Sequence, residues 1–417
     1  MKRYFILFLI VLVPFFAKEN DIPPLPAVNP KTHQLLLDYH LSPKAAGSTM
    51  LSIHNSLESA MDKVYKLDQP NTTQICIRFA EMFFGWMPLN RLTMVTQHEV
   101  FGHGYRLREF GPRVGLVDGY VVKLPFPYGY GGGATSFFPI KMGPMHKATV
   151  SLAGMEGTSI LAKELKMGWF EQGVIDPRQA YLYVTAQHDP TFYTLVMKNT
   201  LPSAGKGHDM ESYLYILRRI YPGSKLSVNQ LKMLSLVNLV DPMTYNCFNA
   251  MWHYVNTGQA FEIGHDYLWN MRLGLAPYGP ETYVEHHRLV DGKPIYSYIK
   301  GGQFAQNRYY GCGAEHRNIW ESGPHKVGLR ADLWIHPKLN FKTNGYTSAT
   351  LYDPAIKDYG LKPLGNQLGC ALTGAYAIQS SGSFGAELHL GFKTPGYLPG
   401  ESLASAPIVR GSIHFKF

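Results

Sequence analysis

Two hydrophobic periods divide the chain. From about Pro30 to Asn256 apolar residues return every three to four positions, the spacing of one buried helix face, whereas beyond Gly264 they alternate with polar ones as in a strand. Helices are predicted over 52–67, 71–85, 92–106, 145–166, 177–187, 210–221, 226–240 and 241–255. The last opens on Asp241 as N-cap with Pro242 at the first helical position. Val-rich residues within 114–141, interrupted by Gly129-Tyr130-Gly131-Gly132-Gly133, predict a hairpin inside this otherwise helical part. The apolar run 79–89, with Trp86, reads as a core helix, with a membrane-surface helix as its alternative.

In the second part Val327, Leu329, Ala331, Leu333 and Ile335 fall on one face and Arg330, Asp332 and His336 on the other. The same alternation recurs in Leu368, Cys370, Leu372, Tyr376 and Ile378, and it sets Phe384, Ala386, Leu388, Leu390 and Phe392 against Glu387, His389 and Lys393. Val409, Gly411, Ile413, Phe415 and Phe417 oppose Arg410, Ser412, His414 and Lys416. With a further segment at 267–275 and weaker ones at 283–290, 294–300 and 307–313, about eight strands are expected. Segments of this length with one apolar face are the mark of a transmembrane barrel, and equally of a soluble sheet with one wet face. The terminal Phe417 resembles the closing strand of bacterial outer-membrane barrels, which favours the first. The expected fold class is α+β: a mainly helical region over 18–260 followed by an antiparallel outer-membrane-type barrel over 261–417.

Composition narrows the setting. Lys2 and Arg3 precede an apolar run from Tyr4 to Phe16, about the length of a signal-peptide core, so residues 1–17 read as an export signal with the helical part left in the periplasm. The 39 Lys and Arg against 30 Asp and Glu give a net charge of +9. These basic residues are scattered and no nucleic-acid motif accompanies them, which argues against a nucleic-acid partner and for some affinity toward anionic lipid headgroups of the outer membrane. Cys76, Cys247, Cys312 and Cys370 form no C-x-x-C pair; disulfides are permitted in an exported chain, but spacing does not choose among the three pairings.

Candidate chemistry concentrates in His98-Glu99-Val100-Phe101-Gly102-His103. Zinc proteases commonly use H-E-x-x-H, in which histidines four apart share a helix face and the Glu serves as general base. Here they are five apart. At about 100° per residue the second ring would turn roughly 140° away from the first, so both can reach one ion only if the helix widens locally to i→i+5 bonding. Gly102 sits where such a bulge would form. A different pair, Glu99 and His103, is four apart and forms an alternative ligand set with His98 outside it.

The hexapeptide resembles the H-E-x-x-G-H zinc motif of dipeptidyl peptidase III, a match of six residues. The resemblance implies His98 and His103 as zinc ligands, Glu99 as general base, and a third ligand, a Glu from a second helix roughly fifty residues on, here Glu156. The residues around Glu156 depart from that family's second motif. The implied activity is hydrolysis of a peptide or protein substrate. His188, Tyr193, His208 and Tyr213 are further candidates for stabilising an oxyanion, and His146 and His253 for extra ligands. Rival readings are a non-enzymatic barrel with a periplasmic scaffold or binding region, and a metal-dependent lipid ester hydrolase.

Overall fold

The computed structural model describes residues 32–64, 70–198, 208–343, 346–379 and 384–416. The expected signal segment and Phe417 lie outside the described residues.

The fold is α+β. Its sheet is an antiparallel meander of β6 (Tyr267–Ala276), β7 (Gly279–Val290), β8 (Lys293–Phe304), β9 (Asn307–Ser322), β10 (His325–Pro337), β11 (Asn366–Gln379), β12 (Phe384–Lys393) and β13 (Ala406–Lys416). A ninth strand, β1 (Thr32–Asp38), pairs with β13, so the order runs β1-β13-β12-β11-β10-β9-β8-β7-β6. The expected helical reading from Pro30 is corrected there. Gln34 of β1 turns toward the sheet's polar face, where its amide donates to Glu387 Oε2 at 2.9 Å and Ser412 Oγ at 3.1 Å, while Leu35 and Leu37 point outward.

The expected closed barrel is corrected as well: the sheet is open, with β1 and β6 at its edges. At the β6 edge, side chains from outside the sheet satisfy the backbone that closure would have paired. The Leu273 N–H donates to Asn238 Oδ1 at 2.6 Å, and the Tyr213 and Tyr397 hydroxyls donate to Ala276 O at 2.7 Å and Leu275 O at 3.0 Å. An edge so occupied has fewer groups left to pair with another strand.

The alternation read from sequence places residues inside out. In β10, Leu329, Leu333 and Ile335 are exposed, whereas Asp332, Trp334 and His336 are buried. Register carries the apolar row sideways: Leu333 lies between Cys312 and Cys370, and Ile335 between Tyr310 and Leu368. The buried face is held by polar bonds such as Tyr298 Oη to Asp332 Oδ1 at 2.8 Å and Arg330 Nε to Asp332 Oδ2 at 2.8 Å.

Behind that face stands the helical part: α1 (Pro43–Val64), α2 (Thr72–Ala80), α3 (Met87–His98), α4 (Gly104–Phe110), the hairpin β2 (Gly115–Val122) and β3 (Gly133–Pro139), α5 (Pro144–Gln172), α6 (Pro177–Gln187), α7 (Asp189–Leu195), α8 (Asp209–Ile220), α9 (Val228–Ser235) and α10 (Pro242–Thr257), with the short pair β4 (Val174–Ile175) and β5 (Phe261–Glu262) beside α5 and α10. Asp241 caps α10 as expected, accepting from the Thr244 N–H at 3.1 Å, a contact typically worth about 1 kcal/mol. The 29-residue α5 is the central post and is buried along most of its length. One flank meets the sheet through Lys163 with Glu315, Lys166 with Asn270 at 3.0 Å, and Glu164 with Arg317 at 2.6 Å. Met145, Leu152 and Met155 of α5 share one core with Ile216 and Leu217 of α8 and Leu273 and Leu275 of β6. The change of period near residue 260 therefore marks a change of secondary structure, while the core continues across it. Among the described residues no helix is long and apolar enough to cross a membrane.

Candidate metal centre

The helix carrying the hexapeptide changes pitch where the spacing demands it. Residues Glu99–His103 form a π-helical turn between α3 and α4, and a second π-turn occupies Glu81–Trp86. The wider turn brings the His98 and His103 rings to 4.9 Å between centroids. Gly102 allows it to sit directly on α5: a Cβ there would fall 2.5 Å from Ala153 O and 2.7 Å from Gly154 Cα. Gly154 makes room in turn, since its Cβ would lie 2.1 Å from His98 Nε2. Two glycines thus fix the contact between the turn and α5, and one of them keeps open the volume the imidazole fills.

Both histidines present Nε2 to a single carboxylate. Asp209 Oδ2 lies 3.4 Å from His98 Nε2 and 3.3 Å from His103 Nε2. His98, His103 and Asp209 each offer a ligand atom within 4.8 Å of the others, the one such group of three among the described residues. For zinc bonds of about 2.0–2.1 Å in a tetrahedron, ligand atoms stand about 3.3–3.4 Å apart, so the His–Asp separations suit such an ion.

The opposite ring nitrogens are spoken for. His103 Nδ1 lies 2.6 Å from Val150 O, a carbonyl that can only accept, so Nδ1 carries the proton. His98 Nδ1 donates to Asp189 Oδ2 at 2.8 Å, and Thr158 Oγ1 donates to the same oxygen at 3.0 Å. Bonds of this kind fix the tautomer that leaves Nε2 for a metal. Burial pulls the His98 pKa down, yet Tyr193 stacked on the ring and the carboxylates of Asp189 and Asp209 outweigh it and raise it well above the ordinary histidine value. Burial likewise raises Asp209, but His103 and His98 win and hold its carboxyl well below the usual range. The same pocket suits a positive charge at Nε2, whether proton or metal ion.

Glu99 opens the π-turn and faces the hairpin. Its Oε2 accepts from Thr135 Oγ1 at 2.8 Å, and its backbone carbonyl accepts from the same hydroxyl at 3.0 Å. Gly131 and Gly132 take left-handed φ values of 69° and 87° to form the turn, and Gly133 leaves space for Glu99, whose Cγ would be 2.7 Å from a Cβ there. Glu99 being held by Thr135, the group that forms is His98 with His103 rather than the Glu99–His103 alternative.

Glu156, expected as third ligand, is engaged elsewhere, and this corrects that expectation. Its carboxylate takes Arg106 Nη2 and Nε, the latter at 3.0 Å, and the Gly400 N–H at 2.7 Å. Burial raises its pKa, while Arg106 and Gly400 pull it back. Asp209, at the start of α8, occupies the place expected for it. Of the oxyanion candidates, Tyr193 stacks on His98 at 5.1 Å and His208 packs on Tyr193 at 5.2 Å, with no hydrogen-bond partner on either His208 ring nitrogen among the described residues. Tyr193 is pulled down by His98 and pushed up by burial and by Asp209, Asp189 and Glu99; the net direction is up, so it stays a proton donor. His188 and Tyr213 are structural, bonded to Thr244 Oγ1 and Ala276 O. His146 packs against Phe110 and Phe341, which also touch each other, and His253 packs on Phe261. All four cysteines are free thiols.

Comparison with known protein families, with curated proteins and with solved structures finds no match for this chain. The likeness to dipeptidyl peptidase III therefore rests on the hexapeptide alone.

Proposed function

We propose that this chain is a metal-dependent peptide hydrolase, with zinc as the fitting ion, attached to the outer membrane by the apolar outer face of its sheet and carrying its helical part toward the periplasm. The observation that carries the reading is the convergence of two imidazole Nε2 atoms on one Asp209 oxygen, with both Nδ1 atoms already bonded. Three protein ligands leave a fourth tetrahedral position, the hallmark of a catalytic rather than a structural zinc site. A cation held there would supply a polarised water and a Lewis acid toward the scissile carbonyl. Glu99 would take the proton of that water and return it to the leaving amine, a role suited to a carboxylate oriented by the Thr135 hydroxyl. Tyr193 would donate to the developing oxyanion.

The membrane attachment is supported by the inverted sheet: Leu333, Leu368, Leu372, Leu390 and Phe392 are each more than half exposed, while Asp332, Thr373, His389 and Lys393 in the same strands are buried. Exposed apolar patches of that extent on a monomer mark interaction surfaces.

The test is metal analysis and turnover of a peptide library by the purified full chain and by Glu99→Gln. The reading expects stoichiometric zinc in both, with turnover reduced about 10²–10⁴-fold in the variant. Absence of bound metal in the parent, or unchanged turnover in Glu99→Gln, overturns it. Ester turnover without peptide turnover would move the substrate class to lipid esters.

A further inference from the structure

The hairpin that holds Glu99 presents a second apolar surface. Leu116, Val121, Leu124, Tyr128 and Phe138 are exposed along it, and Tyr130 at the turn is fully so. The loop between its strands is tied to the earlier π-turn by Tyr128 Oη donating to Phe84 O at 2.7 Å and by the Phe126 ring meeting Phe83 edge-on at 5.8 Å. Phe79 and Phe84 extend the patch across that turn.

This patch joins the outer face of the sheet. β1 carries exposed Leu35 and Leu37 and runs into a turn with exposed Tyr39 and Leu41. There Arg108 donates to His40 O at 2.9 Å, to Leu41 O at 3.2 Å and to Tyr120 Oη of the hairpin at 2.9 Å, linking the sheet edge to β2. Between residues 111 and 141 the charged residues are Arg113, Lys123 and Lys141 against Asp118. Aromatic and aliphatic side chains among exposed cations favour the boundary between anionic headgroups and acyl chains.

From this continuity we infer that the hairpin and the Glu81–Trp86 turn lie in the headgroup region of the membrane that the sheet faces, so that the metal centre opens at the bilayer surface and takes substrates presented there. The inference rests on the membrane reading above. Because Thr135 of β3 binds Glu99, the same hairpin would contact lipid on one side and the proposed general base on the other.

The experiment places an environment-sensitive fluorophore on the full chain, in a background with Cys76, Cys312 and Cys370 changed to serine. Labels go at Leu124→Cys, Tyr130→Cys and Phe84→Cys, at Leu372→Cys on the sheet face, and at Lys357→Cys in an exposed loop. The protein is reconstituted in phosphatidylethanolamine and phosphatidylglycerol vesicles carrying spin-labelled lipid. Labels at 84, 124 and 130 are expected to shift to the blue and lose most of their emission to headgroup-region quenchers, with 372 quenched by mid-chain spin labels and 357 unaffected. Quenching at 372 without quenching at 84, 124 and 130 overturns this inference and leaves the sheet reading standing. The reverse pattern supports the hairpin contact and overturns the sheet reading. No quenching at any position overturns both.

Discussion

Two buried acid clusters flank the same stretch of α5, and they differ in what their partners leave over. Around Arg106 the ionic bonds close on themselves: Arg106 binds Glu156, Glu109 at 2.6 Å and Glu401 O at 2.9 Å, while the second oxygen of Glu109 accepts from Ser402 Oγ at 2.9 Å. The His98, His103 and Asp209 group is organised from outside, with the acceptors behind the rings satisfied and the Nε2 lone pairs turned inward. A saturated cluster with a fixed cation holds the fold; one built to accept a positive charge has room for chemistry. The difference is testable because each cluster turns on one carboxylate, Glu156 fully buried and Asp209 about a quarter exposed.

The largest effect is expected on metal binding. Asp209→Ala should weaken zinc affinity by more than the about 10–100-fold that follows loss of an outer-shell partner, whereas Glu156→Gln should retain stoichiometric metal. Elemental analysis after gel filtration reads both. Retention of metal by Asp209→Ala together with its loss from Glu156→Gln would exchange the roles of the two clusters.

Next comes stability. Arg106→Met leaves Glu156 and Glu109 buried without their cation, a change expected to cost about 3–5 kcal/mol. The double variant Arg106→Met, Glu156→Leu should recover much of this, since an apolar pair avoids desolvating charges. Denaturant unfolding of the folded chain measures both, and a double variant no more stable than the single would place the cost in packing.

This contrast also explains what was legible in the chain. The π-turn followed from arithmetic alone: five-residue spacing and a glycine left no other way for two rings to meet. Helix Pro177–Gln187 and the Asp241 cap likewise stand where local signals put them. Asp209 was not legible from spacing, because it arrives from the start of a helix more than a hundred residues along. A local signal existed in the dipeptides His188-Asp189 and His208-Asp209, each at a helix start. In these dipeptides the carboxylates carry the contacts with the centre: Asp189 orients His98, and Asp209 faces both rings. Glu156 stands between Gly154 and Gly157 in an apolar stretch, and the cost of burying its carboxylate there is offset by Arg106 rather than by a metal. Barrel closure was not legible either, since β1 and the groups covering β6 come from segments that read as helical or irregular.

A third effect depends on pH and lies away from both clusters. Burial against Phe110 and Phe341 lowers the His146 pKa from 6.5 to about 4. The unfolded chain therefore binds the extra proton first as pH falls below about 6.5, so the folded state loses stability from there down to about 4, where the loss levels off. Two and a half pH units correspond to at most about 3 kcal/mol. His146→Phe should flatten this part of the stability profile, measured by unfolding at stepped pH; an unchanged slope would assign the acid sensitivity to other groups.

The finest distinction falls within the metal centre, between the two bonds behind its rings. His103 is oriented by a neutral backbone carbonyl and His98 by the Asp189 carboxylate, itself steadied by Thr158. Asp189→Asn keeps an oxygen able to accept from Nδ1 but removes the charge that makes His98 the more basic ligand. Zinc affinity is then expected to fall about 10–100-fold, or about 1.4–2.7 kcal/mol, with the fold intact. Thr158→Val, which removes one hydrogen bond to Asp189 and leaves the charge, should cost no more than about 1 kcal/mol. Competition titration against a chromophoric chelator separates these values. Equal losses in the two variants would mean that Asp189 acts by positioning the ring; a much larger loss in Asp189→Asn would mean that its charge is transmitted through the imidazole to the bound cation.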